Sequence, residues 1–149
     1  MKRSPELAAL SRDHHQALEA ALRLRRATAE TLEPAVEHFL AFLSRQGEQH
    51  FVIEERLVLP ALPDVDAEWA EATRRVQAEH REIRAAAAAL ADASSLHAAR
   101  ALGELLAAHV RFEERTLFPL VEERLSHDAL VELGRALAAA EEGSRARPS

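Results

Sequence analysis

At 149 residues, 48% apolar and 30% charged, the chain is sized and composed for one globular domain rather than a disordered polymer. It contains no Cys and no Tyr, which excludes disulfides, thiolate metal sites, iron–sulfur clusters and tyrosine chemistry. A net charge of −6 argues against a dedicated nucleic-acid binder, whose affinity comes from neutralising phosphates.

The 32 Ala, 22 Leu and 20 Glu against 4 Gly favour helix nearly throughout. Ser4 is placed to cap a first helix with Pro5 at its first position, and the pattern runs to about Glu30. Pro34 opens a second helix, which ends at Leu59 because Pro60 follows. Asp64 or Asp66 starts a third, running to about Ala91; Asp92, Ser94 and Ser95 form the next break. The fourth runs from about Leu96 to Phe118 and is bent or ended by Pro119. Ser126 is placed to cap a short last helix over about 127–142, and the end, 143–149, reads as frayed. Short connections make neighbours antiparallel. The expected fold is all-α, an up-down-up-down four-helix bundle over about 5–125 with a short C-terminal extra helix, in one domain over 1–149. The longest apolar run, 85–91, is far short of a membrane span, and residues 1–6 carry no hydrophobic signal region, so the expected location is the cytoplasm.

One block occurs twice. His50-Phe51-Val52-Ile53-Glu54-Glu55-Arg56-Leu57-Val58-Leu59-Pro60 lies over His109-Val110-Arg111-Phe112-Glu113-Glu114-Arg115-Thr116-Leu117-Phe118-Pro119, with His, both Glu, Arg and Pro matching at every offset. A weaker echo links Asp13-His14 to Glu79-His80. The domain therefore reads as a duplicated hairpin.

Helical phase sets where these side chains point, at about 100° per residue. Leu7, Leu10, Leu18, Ala21 and Leu22 define the apolar face of the first helix; His14 falls near its centre and His15 at its edge. Val36, Phe39, Leu43, Leu57 and Val58 define the second, and His50 and Glu54 lie inside it. On the third, His80 sits toward one side of a face made by Trp69, Ala72, Val76, Ile83, Ala87 and Leu90. On the fourth, His109 and Glu113 lie within a face of Leu102, Leu105, Leu106 and Phe112. Each long helix thus brings at least one imidazole inward, at similar depth, and two bring a carboxylate. Unpartnered buried carboxylates cost several kcal/mol each, so the core must compensate them, through His–Glu pairs or a metal centre.

His-x3-Glu alone is weak. Eight His in a chain this rich in Glu give about one such pair by chance, and His15/Glu19 is a third instance. The signal is the combination of duplicated blocks, one further His on each remaining helix, and common phase. Imidazole and carboxylate suit borderline divalent metals. Spacing of i, i+4 stacks His over Glu, so one Glu can bridge two ions while its His binds one. Two irons with two bridging carboxylates and two His each keep open positions for O₂, NO or peroxide. Phe51, Phe112 and Phe118 lie near enough to exclude bulk water. Glu55, Glu114, Arg56 and Arg115 read as solvated charge pairs, with Glu114 an alternative to Glu113. His38, His97 and His127 read as surface residues.

Residues 13–14, 50–60, 79–80 and 109–119 resemble the hemerythrin-like, or HHE cation-binding, domain over roughly 5–125. The resemblance implies a four-helix bundle with a non-haem di-iron centre, His14, His50, His80 and His109 as terminal ligands and Glu54 and Glu113 as bridges. Zn or Mn would occupy the same donors in purified protein. Oxygen-carrying hemerythrins have a fifth His, paired at i, i+4 on the third helix, where this chain has Val76 and Arg84 around His80; they also have His-x4-Asp on the fourth helix, where this chain has His-x3-Glu. The four-His, two-Glu set is more similar to the di-iron domain of bacterial iron–sulfur cluster repair proteins, whose Cys-containing N-terminal segment has no counterpart here. The expected role is binding of O₂, NO or peroxide in sensing or stress protection. Two alternatives are di-iron reduction of NO or peroxide with an electron-donor protein, and a regulatory or interaction bundle with structural metal. A ferritin-type oxidase would use Glu-x-x-His pairs instead.

Overall fold

The computed structural model describes residues 2–146, and every regular element among them is helical. A tight turn at Pro5–Leu7 leads into α1, Ala8–Arg25. Then come α2, Leu32–Phe42, and α3, Glu48–Ile53, joined by a widened π-type turn at Leu43–Gly47. A second π-type turn at Glu54–Val58 completes this rod. α4 is Ala67–Asp92, and α5 is Leu96–Phe112. A third π-type turn, Glu113–Leu117, joins α5 to α6, Phe118–Arg124, before α7, His127–Ala146. No helix among the described residues is long and apolar enough to cross a membrane.

The breaks follow local chemistry. Asp66 caps α4 by accepting from the Trp69 N–H at 3.1 Å, and Ser95 caps α5 from Ala98 N–H at 3.1 Å. Ser126 accepts from Ala129 N–H at 3.2 Å at the start of α7. Ser4 does not act as the expected cap: its side chain makes no capping bond, and a backbone bond from Leu7 N–H to the Ser4 carbonyl closes the turn instead. The first helix ends at Arg25 rather than near Glu30. Thr28 and Thr31 exchange hydroxyl–backbone hydrogen bonds, which compete with helix, and the Ala27 carbonyl is taken by Arg100. Pro119 neither ends the fourth rod nor stops α6. The widened turn just before it relieves the clash its ring would make with the carbonyl four residues back. The second rod runs on as a tight turn over Leu59–Ala61, with Pro60 inside it, two residues past the expected end at Leu59, and turns extended at Leu62; the Leu59 carbonyl accepts from the Trp69 indole N–H at 3.2 Å. The last helix runs past the expected end near 142, through Ala146, so 143–146 are helical rather than frayed. Residues 147–149 lie outside the described residues.

α1 packs along α5 and α2, α4 packs on α5, and α7 lies across the Pro5–Leu7 turn and α3. The buried stripe of α1 is Leu10, His14, Ala17, Ala20, Ala21 and Leu24, with Leu7 just before it. Leu18 and Leu22, expected inside, are 38% and 39% exposed. Small side chains bury there because α5 comes very close: a Cβ on Gly103 would lie 2.7 Å from the Ala21 carbonyl oxygen. Two apolar clusters result. One holds Leu24, Phe39, Ile83, Leu102 and Leu106; the other holds Leu7, Trp69, Val76, Phe118 and Leu137. The buried polar residues between them are His14, His50, Glu54, His80, His109 and Glu113.

Candidate metal centre

All six residues singled out from the sequence lie in one buried cluster, none more than 6% exposed, with Glu54, Glu113 and His80 at 0%. They form two groups whose donor atoms lie within 4.8 Å of one another: His14, His50, Glu54 and Glu113, and His80, His109, Glu54 and Glu113. The two carboxylates belong to both groups, and each divides its oxygens between them. Glu54 turns Oε2 to His50 Nε2 at 3.2 Å and Oε1 to His80 Nε2 at 3.2 Å. Glu113 turns Oε1 to His14 Nε2 at 2.8 Å and Oε2 to His109 Nε2 at 3.4 Å.

The widened turns explain how one rod presents this column. In an α-helix, i+4 overshoots i by about 40°, so three residues at that spacing drift around the rod. A π-type turn begins at each of Glu54 and Glu113 and takes up that drift, so His50, Glu54 and Val58, and likewise His109, Glu113 and Leu117, all face inward.

Each imidazole is held from behind by an acid on another rod. His14 Nδ1–H donates to Glu114 at 2.6 Å, and His80 Nδ1–H to Glu55 at 2.7 Å. His50 Nδ1–H donates to Asp13 at 3.1 Å, and His109 Nδ1–H to Glu79 at 2.8 Å. Ionised carboxylates only accept, so each Nδ1 carries a proton, and the Nε2 side of each ring faces the inner carboxylates. Glu55 and Glu114 are therefore not the solvated charge pairs that the sequence suggests, and Glu114 grips the back of His14 rather than replacing Glu113. The sequence carried a signal for this. Neighbouring helical residues diverge by about 100°, so an acid beside an inward residue points sideways, at the next rod. The pattern repeats in both halves: Asp13 matches Glu79, and Glu55 matches Glu114. His15, at the edge of the first helix's apolar face by phase, is exposed, as are His97 and His127, while His38 is half-buried.

Arginines and aromatic rings close the outside. Arg84 donates to Glu55 at 2.8 Å and to Glu48 at 2.9 Å, and Arg75 donates to Glu79 at 3.1 Å. Phe51 stacks on His80 with ring centroids 4.0 Å apart, and Phe118 stacks on His14 at 5.5 Å. Phe112 instead lies under the Arg75 guanidinium, 4.0 Å from its ring centre.

Electrostatics follow from these contacts. Burial alone pushes Glu55, Glu79 and Glu114 up, but Arg84 and His80, His109 and Arg75, and His14 and Ser11 respectively hold each below the ordinary carboxylate value. Burial pushes His109 down, but Glu113 and Glu79 outweigh it and raise its pKa to about 10. His14 and His50 are likewise raised by their carboxylates against burial, and Glu113 is held well below the ordinary range by the surrounding imidazoles.

The cluster fits divalent cations by its orphaned atoms. Six buried donors, His50 Nε2, His80 Nε2, His109 Nε2, Glu113 Oε2 and both Glu54 oxygens, have no hydrogen-bond partner. Buried polar atoms are otherwise almost always satisfied. Their mutual spacing is close to the ~3 Å that separates two donors, each about 2.1 Å from one ion at a right angle.

Among the described residues, the fold is a helical bundle around a buried cluster of His and Glu donors spaced for metal. This chain belongs to the hemerythrin HHE cation-binding domain family, whose model matches residues 7–121. No curated protein and no solved structure matches the chain.

Proposed function

We propose that this chain is a non-haem di-iron protein that binds O₂, NO or peroxide in sensing or stress protection. One observation carries the reading: four imidazoles, each locked through Nδ1, aim Nε2 at two carboxylates whose oxygens have few or no other partners. His14 and His50 would hold one iron and His80 and His109 the other, with Glu54 and Glu113 bridging. Two nitrogens and two oxygens per ion leave positions free on a metal that takes six donors. Reduced iron there supplies electrons and a coordination position to a small molecule. A cavity of ≈ 10 Å³ beside the cluster, bounded by His14, His50, His109, Phe51 and Leu106, accommodates something about the size of one water. That size favours a diatomic or peroxide over a metabolite. A wider polar cleft, lined by Arg12, Asp13, Arg45 and His50, leads to the same side from solvent.

In this reading the rods run up-down-up-down, α7 is an accessory helix, and the protein works in the cytoplasm. Turnover, where it occurs, draws electrons from a separate donor protein, since the chain has no thiol of its own. Zn and Mn compete for the same donors during purification. Metal analysis and absorption spectra of protein from iron-replete cells test the proposal. The expected result is roughly two irons per chain, with charge-transfer bands that change on exposure to O₂ or NO. Less than about one iron per chain, with no such bands, overturns it.

A further inference from the structure

The two halves of the metal centre repeat one unit beyond the His–carboxylate pair. Around His80, Glu55 accepts from Nδ1, Arg84 donates to Glu55, Phe51 stacks on the imidazole, and the Arg84 guanidinium lies 5.4 Å from the Phe51 ring centre. Around His14, Glu114 accepts from Nδ1, and Arg3 donates to the Glu114 carboxylate at 3.3 Å and its backbone carbonyl at 2.7 Å. Phe118 stacks on the His14 imidazole, and the Arg3 guanidinium lies 5.4 Å from the Phe118 ring centre. The same four kinds of group meet at each imidazole, with a longer arginine–carboxylate contact at Arg3 (3.3 Å against 2.8 Å) and a wider ring stack at His14 (5.5 Å against 4.0 Å).

Their origins differ. Arg84 stands four residues after His80 on α4, but the residue four after His14 on α1 is Leu18, which is 38% exposed and carries no charge. The missing cation comes from before the first helical turn. Arg3 lies outside residues 7–121, the part that matches the family. It is tied down independently of the site: its second guanidinium nitrogen donates to Glu122 at 2.8 Å, and the Ser4 N–H donates to the other Glu122 oxygen at 2.7 Å.

We infer that Arg3 is a positioning residue for the His14 half of the centre. It fixes the Glu114 carboxylate and the Phe118 ring, and through them the direction of the His14 Nε2 lone pair. Segment 2–4 thus governs one of the two cation positions, as Arg84 governs the other. The inference rests on the two-cation reading above.

Cobalt(II) alone is the probe, because its visible spectrum reports coordination. Full-length protein is loaded, and release to excess chelator is followed for wild type, Arg3→Gln, Arg84→Gln, the double variant, Arg3→Lys and the surface control Arg135→Gln. Arg3→Gln should speed release of one ion by about three- to tenfold, less than the roughly 10–100-fold typical of removing a carboxylate that holds a ligand. Arg84→Gln should speed release of the other, and the double variant both. Arg3→Lys should recover part of the loss, keeping the charge but not the fork, and Arg135→Gln should match wild type. Unchanged release in Arg3→Gln, equal acceleration of both ions, or a double variant no faster than one single variant overturns the inference. A second measurement needs no metal. In apo protein, the His14 ring nitrogen and Nδ1–H resonances should move in Arg3→Gln while those of His80 stay, and the reverse in Arg84→Gln; a stationary His14 overturns the inference. Wild type that takes up neither cobalt nor iron instead defeats the two-cation reading, and the resonances then decide alone whether Arg3 positions His14.

Discussion

His14, His50 and His109 each sit between two carboxylates, one behind Nδ1 and one in front of Nε2, which raise the pKa of all three against burial, so in the metal-free chain protons occupy the place a cation would take. His109 is raised to about 10 from an ordinary value near 6.5, so its ion pairs stabilise the metal-free fold in full below about 6.5 and fade as the pH rises through about 10. A cation needs the neutral ring and displaces that proton. Metal binding near pH 7 should therefore release protons and tighten as pH rises. Calorimetry in two buffers of different ionisation enthalpy measures the number released, and identical apparent heats would contradict this. Glu113 is the costliest side chain to lose, because its oxygens face His14, His50, His80 and His109. Glu113→Ala should retain at most one cation per chain by metal analysis. It should also weaken the metal-free fold by about 3–5 kcal/mol in denaturant titration, since it strands buried imidazolium groups. The inward residues were legible because phase and duplication coincide at His50, Glu54, His109 and Glu113. Asp13, Glu55, Glu79 and Glu114 were visible as letters in the repeats but not as braces, because phase turns each toward a neighbouring rod without naming the imidazole it meets there.

At the scale of elements, the cap at Ser126 was readable from side-chain chemistry alone, as were a start for α4 at Asp64 or Asp66 and a break around Asp92, Ser94 and Ser95. The widened turns were not, because hydrophobic periodicity assumes one constant pitch. Only the Pro six residues after each inner Glu hints that the helix must loosen there. The face of α1 was misread for a related reason. Large Leu side chains dominate a pattern, yet Leu18 and Leu22 face outward while Ala17, Ala20 and Ala21 are buried. What Ala reports is closeness of backbone, and Gly103 on the facing helix reports it more strongly. Gly103→Ala gains helix propensity but sets a methyl 2.7 Å from the Ala21 carbonyl oxygen and 3.0 Å from the Arg25 backbone nitrogen. The clash should win, with a loss of about 1–3 kcal/mol in denaturation midpoint analysis, whereas Gly143→Ala, with nothing within 4 Å of its new methyl, should be nearly neutral. Equal effects at the two positions would show that α1 and α5 do not approach so closely.

For the molecule as a whole, a polar layer lies between two apolar cores, and its carboxylates are most at ease when cations occupy the layer. Stripping metal should lower the melting temperature. Free metal at about 100 times its dissociation constant adds roughly 2.7 kcal/mol per site, which in a protein of this size is about 5–10 °C. Calorimetric scans with and without chelator check this, and coincident curves would deny the layer any part in stability. The general fold was predictable because four long amphipathic stretches with short links have few ways to hide their faces. The traverse of α7 over the Pro5–Leu7 turn and α3 was not, since Leu133 and Leu137 mark only an apolar stripe without an address. The exchange of carboxylates between halves has one more outcome. Were the backbone severed within 62–66, each fragment would keep two imidazoles, yet each would lack a central acid and a brace that only the other fragment owns: Glu113 and Glu114 for the first, Glu54 and Glu55 for the second. Neither fragment alone could finish a single cation nest. Mixed together, the fragments should complement one another, and metal should drive their reunion.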